Sequence, residues 1–451
     1  MGRTCWKGQG AIALAAVMLA ATWAAASPDR RPKRDAHAEG RTLFLKEWVA
    51  GPTEAGGDGL GPLFNANACV ACHNLGGAGG AGTRDHNVNI LAAFVGPPSF
   101  EDHRKKLFLG ELEELHPGFR NHSSVVVHRH AASPEDSKRL VAMFSWAAAQ
   151  TRDDCIALDI SCRSTPALFG AGLIDAIPDV AILGAESRRY AAFPEIRGRT
   201  SRLRDGRIGR FGWQGQMASL RDAVSMACAT ELGLEVPGHH QGSLARPGEF
   251  DASSLKLDLD ESQVRELTGF VAALPRPTFR PSPFDSGTLL RGRIVFETTG
   301  CASCHAPALG GVDGLFSDLL LHDMGDRYRT GGTMCVPPGP VIDSPASKAA
   351  GGTHRPTSGE AGPTEWRTPP LWGVASSAPY LHDGRARTLD DAILFHGGEA
   401  AKVTARYAAL PAVDRRSVLA FLQALTAPPA PRAAQKPRRA GIPDPTQDPA
   451  R

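Results

Sequence analysis

Apolar and polar positions along the chain follow a helical period in several places. Three segments carry apolar residues at helical spacing, namely "SPEDSKRLVAMFSWAAA", "DESQVRELTGFVAALP" and "PAVDRRSVLAFLQALTAPP". The first begins with Ser133 in the N-cap position and Pro134 at the first helical position, which is typical of a helix start. The alternation that indicates a strand is brief, as in "SSVVVHRH". The pattern therefore predicts a mainly α fold with long loops.

The two ends of the chain differ in composition from the rest. An apolar stretch, "AIALAAVMLAATWAAA", follows two basic residues and ends in small residues, which predicts a signal peptide over 1–26. A retained membrane anchor is the alternative. Residues 27–39 read as a polar linker, and residues 427–451 are rich in proline and charge, which predicts a disordered tail. No later segment is long and apolar enough to span a bilayer, so we expect an exported, periplasmic protein without a membrane span after signal cleavage.

The remaining composition is that of a globular protein. Of 451 residues, 42% are hydrophobic and 22% charged, which suffices for two or three domains with ordinary cores. The formal net charge of +3 and the lack of a basic stripe with interleaved aromatics argue against a nucleic-acid partner. The stretch "PRPTFRPSPFD", at 275–285, predicts a linker and divides the chain into domains at 40–280 and 281–426.

The motif C-x-x-C-H occurs twice, at Cys69, Cys72 and His73 and at Cys301, Cys304 and His305. With 9 Cys and 15 His in 451 residues, chance alone would give about 0.006 matches. The motif is the attachment signature of c-type haem, in which two thioethers hold the porphyrin and the histidine binds the iron. The alternatives are a structural zinc site, which needs two such pairs to meet, and a redox dithiol. The spacing therefore predicts two covalent haems, with His73 and His305 as iron ligands.

A faint internal repeat accompanies the two motifs. Phe64 and Phe296 each stand five residues before the first motif cysteine, and a glycine-rich run follows each motif. This indicates one small helical module used twice, an N-terminal haem domain with insertions and a C-terminal haem domain, both cytochrome-c-like. Cys155, Cys162, Cys228 and Cys335 remain, an even number in a compartment that permits disulfides. Their pairing stays open among three connectivities.

The chain resembles the bacterial dihaem cytochrome c peroxidase superfamily, and most closely its larger dihaem oxidoreductase branch. The resemblance runs from about residue 40 to 426, through "GGDGLGPLFNANACVACH", "STPALFGAGLIDAIPD", "GRFGWQGQMASLRDAVSMACATELG", "LLLHDMG" and "RTPPLWGVASSAPYLHDGRARTLDDAILFHGGEA". It implies one six-coordinate haem that stores an electron and one haem whose open iron binds hydrogen peroxide. Electrons would come from a small redox protein or another donor and pass from the C-terminal to the N-terminal haem.

The resemblance also implies roles for particular residues. His396, in "TLDDAILFHGG", takes the place of the distal ligand of the second haem, where the family usually has Met. Alternatively, His396 only complements the dipole of a helix that Thr388 caps and Gly397 ends. Trp213 corresponds to a tryptophan between the haems, although a core aromatic is the commoner role. Glu231 falls near the catalytic glutamate that shuttles the peroxide proton; its alternative is a surface position.

Two further sites stay open at this point. Ser377 and Pro379 match the loop whose backbone carbonyls bind calcium between the family's domains, which makes this loop a candidate calcium site. The distal side of the first haem has six candidate histidines, namely His86, His103, His116, His122, His128 and His130. If one of them binds that iron permanently, the protein is a bis-histidine electron carrier without a substrate. A dihaem oxidase of a protein or thiol substrate is a third interpretation, and an oligomer is compatible with all three.

Overall fold

The computed structural model describes residues 37–95, 110–120, 124–150, 156–244, 255–281, 283–329 and 361–429. The predicted signal peptide, most of the linker at 27–39 and the tail from residue 430 lie outside the described residues. Two of the candidate histidines, His103 and His122, also lie outside them, as do Cys155 and Cys335. Within the described ranges, no helix has the length and apolar character needed to cross a membrane.

Eleven α-helices with complete bounds lie in the described ranges. They are α1 (Ala38–Leu45), α2 (Cys69–Cys72), α3 (Pro134–Gln150), α4 (Ala171–Asp175), α5 (Asp179–Glu186), α6 (Leu220–Glu231), α7 (Glu261–Ala272), α8 (Ser286–Thr299), α9 (Leu389–Phe395), α10 (Ala401–Ala408) and α11 (Ala412–Gln423). The three helices predicted from hydrophobic spacing are confirmed as α3, α7 and α11. The hydroxyl of Ser133 accepts a hydrogen bond from the backbone N–H of Asp136 at 3.0 Å, so the predicted N-cap is confirmed as well.

Short strands pair into six small sheets in the same part of the chain. The strands are β1 (Leu63–Phe64), β2 (Val88–Val95), β3 (Ser124–Val127), β4 (His130–Ala131), β5 (Ile156–Arg163), β6 (Ser201–Arg202), β7 (Ile208–Gly209), β8 (Thr278–Phe279), β9 (Ala308–Leu309), β10 (Val312–Asp313), β11 (Leu321–Asp323), β12 (Glu365–Arg367) and β13 (Leu425–Thr426). The largest sheet is antiparallel with the order β3-β2-β5, and the other five are two-stranded.

The prediction of a mainly α fold with two cytochrome-c-like domains was wrong in its class, because the described structure mixes helices with these sheets. The three-stranded sheet lies between the first motif and Trp213, and its outer strand β5 reads "IALDISCR". Apolar and polar residues alternate along most of this stretch, so its period of two was present in the sequence. The central strand "VNILAAFV" lacks that alternation, and only its pairing on both sides identifies it as a strand. The domain boundaries stay a prediction.

Two helix crossings support the two motifs, and each has a glycine at the contact. Helix α1 packs on α7 at Gly40, where an added Cβ would lie 2.0 Å from the carbonyl oxygen of Glu266. Helix α8 packs on α11 at Gly292, where an added Cβ would lie 2.0 Å from the carbonyl oxygen of Ser417. Only a residue without a side chain permits backbones to approach this closely. The crossings therefore depend on Gly40 and Gly292.

The structure also corrects the internal repeat. The phenylalanine ring near His73 is that of Phe44, at a centroid distance of 6.5 Å, and Phe296 lies 6.5 Å from His305. Phe64 instead stacks on His130, with ring centroids 5.3 Å apart. The repeated segments are "GRTLF" at 40–44 and "GRIVF" at 292–296. They were missed because Phe44 stands 25 positions before Cys69 and Phe296 only five before Cys301.

We expect Gly292→Ala to destabilise the protein by about 1–3 kcal/mol, the usual cost of forcing extra volume into a packed contact. The measurement is the free energy of unfolding from urea titration. Gly184→Ala is the matched control, since Gly184 lies in α5 and an added Cβ there meets nothing within 4 Å. That change should leave stability equal or raise it by up to about 1 kcal/mol, because alanine is the better helix former. Equal effects of the two substitutions would contradict the role of Gly292.

Candidate functional site

The first motif forms one tight turn. Cys69–Cys72 make up α2, and the backbone N–H of His73 donates to the carbonyl of Cys69 at 3.0 Å. The thiols of Cys69 and Cys72 are free rather than joined in a disulfide. Desolvation raises the pKa of each thiol to about 12. Redox dithiols show the opposite shift, a lowered pKa that favours the thiolate. The geometry and electrostatics therefore argue against the redox-dithiol alternative.

The second motif repeats this arrangement at the end of a long helix. Gly300 ends α8 with a φ of 114°, in the left-handed region that favours glycine, and a 3₁₀ turn over Cys301–Ser303 follows. The backbone N–H of His305 donates to the carbonyl of Cys301 at 2.9 Å. Desolvation raises the pKa of Cys301 to about 12. In the described part of the chain, no three His, Cys, Asp or Glu side chains are placed so that together they could hold a metal ion.

Backbone carbonyls orient both motif histidines. The Nδ1 atom of His73 bonds the carbonyl of Gly80 at 3.2 Å, and Nδ1 of His305 bonds the carbonyl of Phe316 at 3.0 Å. Because a carbonyl can only accept, each Nδ1 carries the hydrogen and each Nε2 keeps its lone pair. Desolvation lowers the pKa of both rings to about 4, so both are neutral at pH 7. Neutral imidazoles with a free Nε2 fit the iron ligands that the haem motif requires.

A second imidazole faces His305. Thr388 caps α9 in a reciprocal capping box with Asp391, and His396 follows the last residue of that helix. The Nδ1 of His396 donates to the carbonyl of Ala392 at 2.7 Å, which again leaves Nε2 with its lone pair. The ring centroids of His305 and His396 are 6.4 Å apart. An iron held by both rings requires about 6 Å, the sum of two bonds of about 2 Å and about 1 Å from each nitrogen to its ring centre.

The helix-dipole interpretation of His396 requires a charged ring. Desolvation lowers the pKa of His396, so the ring is neutral at pH 7 and carries no charge toward the helix end. The spacing to His305 therefore favours the ligand role over the dipole role.

Glu231 ends α6 beside the first motif. Its Oε2 accepts a hydrogen bond from the Asn65 side chain at 2.7 Å, and its backbone carbonyl accepts from the N–H groups of Asn65 and Ala66. Desolvation raises the pKa of Glu231 to about 7, while the Asn65 hydrogen bond and the charge of Arg129 act to lower it. Its charge in turn contributes to the raised pKa of Cys72. Glu231 is therefore a partly buried carboxyl at the first motif. It does not lie on an exposed surface, which was the alternative.

Trp213 joins the segments that carry the two motifs. Its indole Nε1 donates to the carbonyl of Ser164 at 2.8 Å, just beyond β5. Its own carbonyl accepts from the backbone N–H of Arg367 at 2.9 Å, in β12, and the Arg367 guanidinium donates to the carbonyl of Gly212 at 2.8 Å. Trp213 thus has polar contacts on both sides, which a packed core tryptophan also makes, so its role between the haems stays a prediction.

The candidate calcium loop follows a short 3₁₀ turn. The backbone N–H of Ser377 donates to the carbonyl of Val374 at 3.1 Å, its hydroxyl donates to the carbonyl of Gly373 at 3.0 Å, and the peptide bond before Pro379 is cis. These contacts describe a well-packed loop, and its calcium role stays a prediction. Just beyond, the ring of His382 stacks on Trp366 with centroids 3.6 Å apart, and desolvation lowers its pKa to about 3.

The described histidines that were candidates for the distal ligand of the first haem contact other groups. His86 bonds the hydroxyl of Thr83, His128 bonds the carbonyl of Thr230, and His130 stacks on Phe64. His116 is buried in the sheet region, where its Nδ1 accepts from the N–H of Gly118. No described histidine faces His73 in the way that His396 faces His305. Cys162 and Cys228 are free thiols, so neither forms a disulfide with a described cysteine.

A charged cluster that was not predicted from the sequence lies at the second motif. His322 is buried between Asp318, whose Oδ2 is 3.0 Å from Nε2, and Glu399, whose Oε2 is 2.7 Å from Nδ1. The Cys304 sulfur is 3.5 Å from the same Nδ1. Burial acts to lower the pKa of His322, but Cys304 and Asp318 raise it well above the ordinary value. The i, i+4 spacing of Asp318 and His322 in "DLLLH" is the sequence feature that could have predicted this pair.

Comparison with known proteins bears on this arrangement. Residues 352–425, which include His396, match the family described as "Di-haem oxidoreductase, putative peroxidase". Hydrazine synthase subunit gamma of Kuenenia stuttgartiensis is 30% identical over 186 residues, which are 35% of this chain and 52% of that protein. The chain thus spans about half the length of this curated relative.

Two solved structures show weaker likeness. One is a Kuenenia stuttgartiensis hydrazine synthase, with 23% identity, a TM-score of 0.31 and coverage of 59% of this chain and 73% of the other. The second is a MauG-like protein associated with microbial copper homeostasis, with 17% identity, a TM-score of 0.28 and coverage of 51% and 80%. The family match implies haem cofactors and redox activity. Residues 352–425 therefore carry the di-haem oxidoreductase signature, and the predicted relation of the chain to this peroxidase-like family is confirmed.

Proposed function

We propose that this protein is a dihaem peroxidase that reduces hydrogen peroxide to water at the first motif, with electrons that enter at the second. The difference between the two motifs carries the proposal. His305 has a second imidazole at the spacing of a shared iron, whereas the first motif has the Glu231 carboxyl, with a pKa of about 7, close enough to Cys72 to raise the pKa of that thiol. The first arrangement suits storage of an electron, and the second suits a reaction that moves protons.

Two c-type haems supply the redox chemistry when bound, attached through Cys69 and Cys72 and through Cys301 and Cys304. Reduction of one peroxide molecule consumes two electrons and two protons and yields two waters. In this scheme the Glu231 carboxylate takes the proton from the near oxygen of peroxide and returns it to the far oxygen. A pKa of about 7 suits both steps near neutral pH, and the Asn65 side chain holds the carboxylate in place.

A continuous path of bonds connects the two motif histidines. From His305 it follows the hydrogen bond to the carbonyl of Phe316, then the Ser317 hydroxyl, which donates to the carbonyl of Thr368 at 2.7 Å. The next residue back, Arg367, donates its N–H to the carbonyl of Trp213.

The Trp213 indole continues the path to the first motif. It donates to Ser164, two residues before Pro166, and the backbone of Pro166 interacts with the His73 ring. This route is compatible with the proposed electron transfer between the two haems, in which we propose Trp213 as the linking residue.

The same proposal includes the site of action. The signal-like start and the covalent haem motifs support export to the periplasm, with a small redox protein as donor. Ser377 and Pro379 are proposed to bind calcium through their backbone carbonyls, as the family resemblance implies.

We expect Glu231→Gln to lower the rate of peroxide reduction by about 10² to 10⁴, the usual contribution of a general acid–base group. Because the carboxyl must be ionised to accept the proton, the rate of the unmodified protein should rise as pH increases through about 7. The variant should lose this rise while both haem spectra stay unchanged. Stopped-flow measurement of peroxide reaction against pH tests this.

The control for that experiment is Glu261→Gln, at an exposed carboxyl paired with Arg221. It should keep both the rate and the pH profile. If Glu231→Gln retains the rise near pH 7, the proton shuttle is another residue.

We expect His396→Gly to open one iron, so that a low-spin ferric haem becomes high-spin. His396→Met should keep six-coordination and raise the potential of that haem, since Met/His ligation favours the ferrous state. Electronic spectra and a redox titration of both variants measure this. If His396 served only the helix end, spectra and potentials would stay unchanged in both variants and stability would fall by about 0.3–1 kcal/mol at most.

The same spectra separate the proposal from the alternatives. A high-spin signal in the unmodified ferric or half-reduced protein requires an open iron and supports the enzyme. Two low-spin haems in every redox state would instead support a bis-histidine electron carrier.

A further inference from the structure

A loop from the N-terminal half of the chain covers the second haem motif. The Phe193 ring lies against Gly300, where an added Cβ would be 2.4 Å from the ring. Phe193, Ile196 and Val403 form a buried cluster on which Cys301, Cys304 and Tyr190 pack. We call Tyr190, Phe193 and Ile196 the aromatic cap. The thioether side of the second haem site is therefore covered by protein from outside its own segment.

Two cations flank the aromatic cap on helix α10. The Lys402 Nζ lies 5.5 Å from the centre of the Phe193 ring and donates to the carbonyl of Ala192 at 2.8 Å. The Arg406 guanidinium lies 4.5 Å from the same ring centre. Both distances lie within the range of cation–π attraction, so these cations are held at the cap rather than free in solvent.

Three further exposed cations lie near the cap, and together with the first two they form the cationic rim. No member of this rim has an ion pair with a described residue. The rim consists of Arg188, Arg189, Arg197, Lys402 and Arg406. Two of the nearby carboxylates have other partners. Glu186 pairs with Arg202, and Glu399 binds His322 and accepts a hydrogen bond from the backbone N–H of Arg197 at 2.9 Å. Glu195 is the remaining acid of the loop, and its Oε1 is buried.

The rim contrasts with the rest of the chain. The whole protein has 50 basic and 47 acidic residues, whereas the two segments at the cap, 186–197 and 399–406, together have five basic and three acidic residues, a local excess of positive charge. Like charges held together repel one another, and an acidic surface placed against them removes that repulsion.

We propose that the cationic rim and the aromatic cap form the docking surface for an acidic electron-donor protein. This inference rests on the proposed function and names its partner by charge. The reduced donor loses one electron and the second haem site gains it, so two such transfers supply one peroxide reduction. No bond forms or breaks between the partners, and the short path from the cap to Cys301 and Cys304 carries the electron.

The test uses the holoprotein and two probes, a reduced acidic blue-copper protein and a reduced basic cytochrome c. Anaerobic stopped-flow mixing without peroxide measures how fast each donor reduces the second haem over a series of ionic strengths. We expect the acidic donor to react faster, with a rate that falls as salt increases. The double variant Lys402→Glu/Arg406→Glu should slow it by about 10-fold or more and remove the salt dependence.

Two variants keep the result interpretable. Arg265→Glu, at an exposed arginine of α7 without an ion pair among the described residues, is the matched control and should leave the rate unchanged. Arg189→Glu, which removes a rim charge without touching Phe193, should lower the rate in the same direction by less. This variant guards against a double variant that only displaces the cap.

The outcomes separate this inference from the proposed function. Equal salt dependence with both donors, no loss in the double variant, or equal loss in Arg265→Glu would overturn the docking surface. Peroxide turnover driven by a neutral hydroquinone should be unaffected in the double variant. Another outcome is that the acidic donor reduces the second haem in a salt-dependent way while the unmodified protein does not turn over peroxide. In that case the peroxidase proposal is wrong and the docking surface is still supported.

Discussion

The hydrogen bond from Nδ1 of each motif histidine to a backbone carbonyl is the constraint on which the two sites depend. It fixes the tautomer, so Nε2 is the atom left to bind iron, and it fixes the plane of the ring. At the second motif the accepting carbonyl belongs to Phe316, a residue with a φ of 53°, which is unusual without glycine. Packing of its ring at near right angles to Phe296 and Phe421 holds that conformation. Packing in the core thus orients the Phe316 carbonyl toward the His305 ring.

The same scaffold occurs twice with different surroundings. In each copy a helix crosses another at a glycine, and a phenylalanine four residues later lies 6.5 Å from the motif histidine. The second copy receives His396 from α9, while the first receives Glu231 from α6 and Asn65 from the segment before its cysteines. The duplicated support therefore carries an imidazole at the second motif and a carboxyl at the first, and the proposed division into electron storage and proton transfer depends on this difference.

Contacts between distant segments connect these two environments. The β5 end, Trp213 and β12 meet through hydrogen bonds of 2.8 and 2.9 Å. The loop that carries Phe193 reaches from the N-terminal half to Cys301. The second site is therefore completed by residues that precede it by more than a hundred positions. A variant in this loop can alter the second haem without touching the C-terminal segment.

The sequence by itself determined the features that depend on neighbouring residues. Two cysteines and a histidine within five positions must share one turn, Thr388 can cap only the helix that follows it, and apolar spacing identified α3, α7 and α11. Tertiary structure decided what depends on distant pairing: the β3-β2-β5 sheet, Phe44 rather than Phe64 as the partner of His73, and the carboxylates around His322. Periodicity reports which face of a segment is apolar but not which segment will cover it. For that reason the two motifs could be predicted from the sequence. The mixed α/β fold, the raised pKa of Glu231 and the packing of the Phe193 loop on the second motif could not.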